Sequence, residues 1–203
     1  MLLVFLSSLR GDSMYTFVPR ETQAGNPGTL RAGAGDPVYD GFLARRDVLV
    51  FQSPPLAADL EIAGPVSVDL WISSSAPDTD FTAKLVDVAP PNRDHPWGYA
   101  MNLADRIIRV SSGDYATART LLKPGEIRKV TIDLVGVANR FRTGHRIRVD
   151  ISSSNFPFFD VNPNTGERPG YQTHETTALN TVYHDRERPS HVNLPVMPAA
   201  PVH

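Results

Sequence analysis

The chain contains no cysteine, which excludes disulfides, thiolate metal ligands and a cysteine nucleophile. An excess of one charge is missing as well. With 20 Lys and Arg against 22 Asp and Glu the net charge is −2, which argues against a nucleic-acid groove or a polybasic membrane patch. No apolar run approaches the roughly 18 residues that a membrane-spanning helix needs. The opening MLLVFLSSL has the look of a leader, but no basic residue precedes it and Arg10 and Asp12 interrupt it. It reads instead as a hydrophobic first strand over 3–7, and the expected compartment is the cytoplasm. Sustained helical periodicity is absent, and so is any G-x-S-x-G, the strained strand-to-helix elbow that carries an α/β-hydrolase nucleophile.

What the chain does have is turn chemistry and alternation. Its 18 prolines and 14 glycines favour many short elements. Val66, Val68, Leu70 and Ile72 alternate with Ser67, Asp69, Trp71 and Ser73, the period of a half-buried strand. The pattern returns in Val130, Ile132 and Leu134, in Ile147, Val149 and Ile151 against Arg146, Arg148 and Asp150, and in Val192, Leu194 and Val196. Further strands are expected at 48–52, 60–63, 81–88, 99–103, 106–111 and 181–184. Gly64-Pro65, Pro90-Pro91-Asn92, Lys123-Pro124-Gly125, Thr143-Gly144 and 163–166 read as turns between them, and 135–141 as a single helical turn. About ten short strands make an all-β sandwich, and the long excursions favour a jelly-roll or Greek-key order. The whole of 1–203 reads as one domain, with 19–47 a long irregular loop within it, 165–177 a second polar loop and 198–203 a tail.

Residues 152–166, SSSNFPFFDVNPNTG, stand apart: three phenylalanines among turn formers. Phe156, Phe158 and Phe159 are expected to be buried, folding the loop back on the protein. Asp160, Asn162 and Asn164 space oxygens as a calcium loop does, but Thr165 stands where glycine belongs and Tyr171 where the bidentate glutamate belongs. Asx turns are the preferred explanation, and no metal or other cofactor is expected. Asp78 and Asp80 read as turn caps or arginine partners. His184-Asp185 and Ser190-His191 put hydrolytic residue types side by side, yet no orienting carboxylate is identifiable and satisfied strand-end histidines are the simpler reading. Zinc is disfavoured because the six histidines show no H-x-x-x-H. Trp71 and Trp97 could each meet a ligand or another domain; for Trp71 an apolar partner surface is preferred.

Several motifs then line up in order: DVLVF (47–51), SSAPDTDFTAKLVDV (74–88), GYAMNLAD (98–105), GHRIRV (144–149), SSSNFP (152–157), VYHD (182–185), PSH (189–191) and LPV (194–196). Together they resemble the C-terminal domain of the cocaine-esterase-like (CocE/NonD) hydrolases, a domain type also found in Xaa-Pro dipeptidyl-peptidases, α-amino-acid ester hydrolases and some cephalosporin acylases. The resemblance runs from about Tyr15 to Val196 and takes in Phe5 to Ser7 as the first strand. It implies a galactose-binding-like jelly roll packed on an α/β-hydrolase catalytic domain, with the Ser, Asp and His of catalysis all in that other domain. No catalytic residue therefore maps onto this chain. The family's pocket-rim loop falls at Gly28, Thr29 and Leu30, where this chain departs by carrying Arg31-Ala32-Gly33 in place of the usual aromatic, and PPNRDHPW (90–97) is longer than the family's turn. The implied role is a non-catalytic buttress of an ester- or amide-cleaving serine hydrolase, inactive alone, with a homo-oligomer as a further assembly. The alternative is a free-standing sugar- or peptide-binding sandwich.

Overall fold

The alternating segments pair as ten antiparallel strands. The structure, a computed structural model, describes residues 2–5, 12–17, 45–112, 119–168 and 170–198, with no helix among them. In chain order the strands are β1 (Leu2–Phe5), β2 (Asp12–Phe17), β3 (Leu49–Gln52), β4 (Leu60–Ser74), β5 (Asp80–Ala89), β6 (Tyr99–Arg109), β7 (Arg128–Phe141), β8 (Arg146–Ser152), β9 (Ala178–Tyr183) and β10 (His191–Leu194). One sheet runs β3-β8-β5-β6. In the other, β4 pairs with β7 along one edge and with β10 and then β9 along the other; β1 pairs with β10, and β2 with β9. The pairs β1/β2 and β9/β10 thus each occupy one track. Counting eight tracks in chain order, the sheets read first-eighth-third-sixth and second-seventh-fourth-fifth, the order of a jelly roll.

The core lies between the sheets. Val66, Val68, Leu70 and Ile72 of β4 are fully buried in one cluster with Phe81, Ala83 and Leu85 of β5 and Ile147, Val149 and Ile151 of β8. Each such side chain contributes about 1.5–3 kcal/mol by leaving water, so alternation alone selects which face turns inward.

Three local expectations are corrected. Gly64-Pro65 does not end a strand: β4 runs through it, with Gly64 at φ 136° and a register shift between Pro65 and Ser67. The stretches 99–103 and 106–111 merge into β6, absorbing a register shift opposite Leu85/Val86. Residues 135–141 form strand, not a helical turn, because the partner strand is there to pair with them. The strand β2 carries no expectation above, its alternation being only six residues long.

The bulge explains the missed period in β7. Pro65 faces Gly136 and Ser67 faces Asp133, so Leu134 and Val135 together oppose Val66. Val135 takes a left-handed φ of 72°, which a β-branched residue adopts only under strain, and its side chain is 48% exposed. Val135→Gly is therefore expected to stabilise the protein by about 1 kcal/mol, the relieved strain outweighing the added chain entropy. Thermal unfolding checks this: a fall in Tm would contradict the strain argument.

Candidate functional site

Consecutive tracks run in opposite directions, so the β4–β5, β6–β7 and β8–β9 connections emerge at one end of the sandwich. Phe17 at the end of β2 and Leu49 at the start of β3 stand there too, paired with Ala178 and Ile151. Backbone hydrogen bonds lace these connections together: Leu122 N–H to Pro77 O, Gly125 N–H to Ser74 O and Ser75 N–H to Leu179 O.

Beneath them lies a buried polar network. Asp78 accepts from the N–H groups of Thr79 and Ser111, each at 3.0 Å, from the Ser111 hydroxyl at 2.9 Å and from Arg119 at 3.4 Å. Asp80 takes a two-pronged contact from Arg109 at 2.9 and 3.0 Å, and Asn162 Nδ2 adds a third at 2.7 Å. Burial pushes the Asp80 carboxyl up, against the pull of Arg109 and Asn162; the Asp80 contact in turn raises the Arg109 guanidinium. Arg128 donates to the carbonyls of Val110, Thr120 and Leu121 while holding Glu126. Asn180 bridges Thr79 and Ser153. The members of this network come from three different connections and the strands that flank them, which is why spacing along the chain did not reveal it.

The 152–166 loop inverts its expected polarity. Asn155, Asn162 and Asn164 are buried, whereas Phe158 is 57% exposed and Phe156 and Phe159 are half-buried. The physical reason is supply: the network needs short amides that donate and accept at once, and the asparagines provide them. Asn162 Oδ1 accepts the Asn164 N–H, Asn164 Nδ2 donates to Thr176 O, and Asn164 sits at φ 67°. Asp160 is exposed and joins Arg109, Gln172 and His174 around an open cleft of about 420 Å³. Among the described residues no group of three or more His, Cys, Asp or Glu is placed to hold a metal ion.

The other singled-out residues disperse. Gly28, Thr29 and Leu30, with most of the 19–47 loop and all but residue 198 of the tail, lie outside the described residues. Trp97, 87% exposed, projects from the β5–β6 connection at the opposite end. Trp71 is half-buried on the outer face of β4, where its backbone N–H donates to Ser190 Oγ and its strand partner is Tyr183. That spends the Ser190 hydroxyl on holding the 184–190 excursion, since it also donates to Tyr183 O. His184 is buried edge-on against the Phe51 ring at 5.7 Å, and Asp185 caps the turn at Glu187 and Arg188. His191 donates from Nδ1 to Pro189 O at 2.7 Å, with Nε2 3.5 Å from Asp69, a carboxylate the sequence did not identify. A second pair escaped notice altogether: His145 Nδ1 meets Asp87 Oδ1 at 2.8 Å, and Asn139 holds the other oxygen. Only the β5–β8 register, Asp87 opposite Ile147, brings them together.

Comparison with known proteins agrees with this distribution. Residues 9–193 match the model of the X-Pro dipeptidyl-peptidase C-terminal non-catalytic domain. The cocaine esterase of Rhodococcus sp. (strain MB1 Bresler) is 39% identical over 201 residues, which cover 95% of this chain and 33% of that protein. The structure of an α-amino acid ester hydrolase superposes with a TM-score of 0.77 at 30% identity, over 92% of this chain and 33% of the other. An aminopeptidase from a marine-sediment Thaumarchaeota archaeon shares the fold, with a TM-score of 0.81 at 24% identity, over 97% of this chain and 36% of that one. The chain thus spans about a third of the length of the relatives it matches. The chain belongs to the X-Pro dipeptidyl-peptidase C-terminal non-catalytic domain family.

Proposed function

We propose that this sandwich is the non-catalytic C-terminal part of a serine hydrolase that cleaves esters or amides, where it packs on an α/β-hydrolase body and covers part of its active site. The observation that carries the reading is the match of 9–193 to a domain described as C-terminal and non-catalytic. The side chains support it. Ser190 and His184, two of the hydrolytic residue types that the sequence sets side by side, serve strand pairing and core packing. The isolated chain is expected to hydrolyse p-nitrophenyl acetate no faster than buffer. Turnover that a serine-reactive phosphonate abolishes would overturn the proposal.

A second reading, a sugar- or peptide-binding module, rests on the exposed Trp97 ring. Glycan or peptide binding by the isolated chain that disappears in Trp97→Ala would favour it.

A further inference from the structure

Eight large apolar side chains are exposed among the described residues, and five of them crowd the network end: Leu121, Ile127, Phe158, Tyr171 and Leu179. At the opposite end only Trp97 and Met197 are so exposed, Trp97 among the polar exposed residues of 92–95. The network end is also built to be stiff. Gly166 at φ 74° lets the β8–β9 connection close on Leu121, where a Cβ would come within 3.1 Å of its side chain, and Arg119 reaches across to Gly166 O. Loops held by buried hydrogen bonds while their apolar side chains face water have the construction of a preorganised contact surface.

We infer that this end is the surface on which the sandwich sits against its catalytic body, through an apolar contact whose arginines are already paired with carboxylates. The inference rests on the reading under Proposed function and adds to it which surface makes the contact and of what chemistry. The occupant follows from length: two thirds of each relative lies outside the matched region, enough for a body as large as this contact would serve. Its chemistry follows from pairing. Arg109, Arg119 and Arg128 are bound to Asp80, Asp78 and Glu126, so among the described residues these arginines form no free basic cluster to steer an acidic partner. The body's matching surface is therefore apolar at its centre with a polar rim, and the contact is insensitive to salt.

The test is a chimera in which this 203-residue chain replaces the matching third of the Rhodococcus cocaine esterase. Heat inactivation of its esterase activity is followed with Leu121→Glu/Phe158→Glu/Tyr171→Glu at the network end and Trp97→Glu/Met197→Glu at the other. Tyr171→Glu alone, at a position 77% exposed, serves as a mild variant that leaves folding of the isolated chain unchanged. The triple variant is expected to inactivate roughly tenfold faster, at low and high salt alike, because the new carboxylates are desolvated in the contact, and Tyr171→Glu to fall in between. The opposite-end variant keeps the unaltered rate. An active chimera indifferent to the network-end changes would overturn the inference and leave the proposed function standing. An inactive unaltered chimera would count against the proposed function itself and remove the inference with it. If the isolated chain dimerises in sedimentation and the triple variant makes it monomeric while the chimera is unaffected, the occupant is a second copy and the inference is wrong.

Discussion

Replacing Arg148 by alanine is expected to lower the free energy of unfolding by about 3–5 kcal/mol, the range for breaking a buried ion pair by removing one partner. Arg148 and Asp150 stand two residues apart on β8, on the face of the β3-β8-β5-β6 sheet turned away from the core cluster. Nε and a terminal nitrogen of Arg148 donate to the two Asp150 oxygens, both at 2.9 Å, and the side chains are 3% and 1% exposed. Without the guanidinium, the Asp150 carboxylate keeps its desolvation penalty and loses its fork. Asp150→Ala takes the two-oxygen acceptor from the guanidinium in the same way. Arg148→Met combined with Asp150→Leu removes both charges at similar volume, so most of the loss is recovered. Guanidinium chloride unfolding of the unaltered chain, Arg148→Met, Asp150→Leu and their double variant gives the coupling directly. An Arg148→Ala loss below about 1 kcal/mol would place the pair in the class of surface salt bridges and contradict its burial.

The same face holds Lys84, whose Nζ donates to Asp105 and lies 3.4 Å from Asn155 Oδ1. Burial lowers the Lys84 ammonium below its ordinary value, against the pull of Asp105 and Asp150. Thr82 and Ser152 share a hydroxyl contact of 2.6 Å in the adjacent rung. This face shows where the sequence stops being legible. Alternation in 146–152 separates Ile147, Val149 and Ile151 from Arg148 and Asp150 correctly, and on a two-layer sandwich the charged set is expected to meet water. It is buried instead, and period two cannot distinguish a wet polar face from a covered one whose charges pair with each other.

Other elements divide along the same physical line. The core face of β4 is legible because four apolar residues at period two can point only one way. The bulge at Val135 is invisible until β4 lies beside β7, since nothing local calls for a left-handed valine. Likewise the Asp87–His145 contact exists only through strand register. The inverted 152–166 loop fails for a different reason: burial of aromatic rings is a sound average expectation, but here the buried volume is reserved for groups that satisfy Asp80 and the backbone around it. Ordered motifs, by contrast, carried the family from the sequence because they report many such contacts at once.

Asp78→Ala is expected to be the second large effect, about 3 kcal/mol, and the one that reaches function. One carboxylate oxygen accepts both the Thr79 and the Ser111 backbone N–H, and the other accepts the Ser111 hydroxyl and Arg119. Alanine leaves two buried N–H groups with no acceptor, each worth about 1–3 kcal/mol when orphaned. It also takes the carboxylate from Arg119, the link between the β6–β7 connection and Gly166, leaving it Ser111 Oγ and Gly166 O as acceptors. Asp78→Asn keeps an oxygen for the two N–H groups and turns an amide towards Ser111, so its loss is smaller, about 1 kcal/mol. The two variants therefore separate hydrogen bonding from charge. Hydrogen exchange localises the damage: the amides of Leu122 and Gly125, held by Pro77 O and Ser74 O, exchange faster in Asp78→Ala, while those of Val68 and Leu70 in β4 change only with global stability. Uniform acceleration across both sets would mean that Asp78 supports the whole fold and not this end of it. Because Leu121 rides on the loosened connection, Asp78→Ala in the chimera must also order that segment on contact, and its esterase activity decays faster than the loss measured on the isolated chain accounts for.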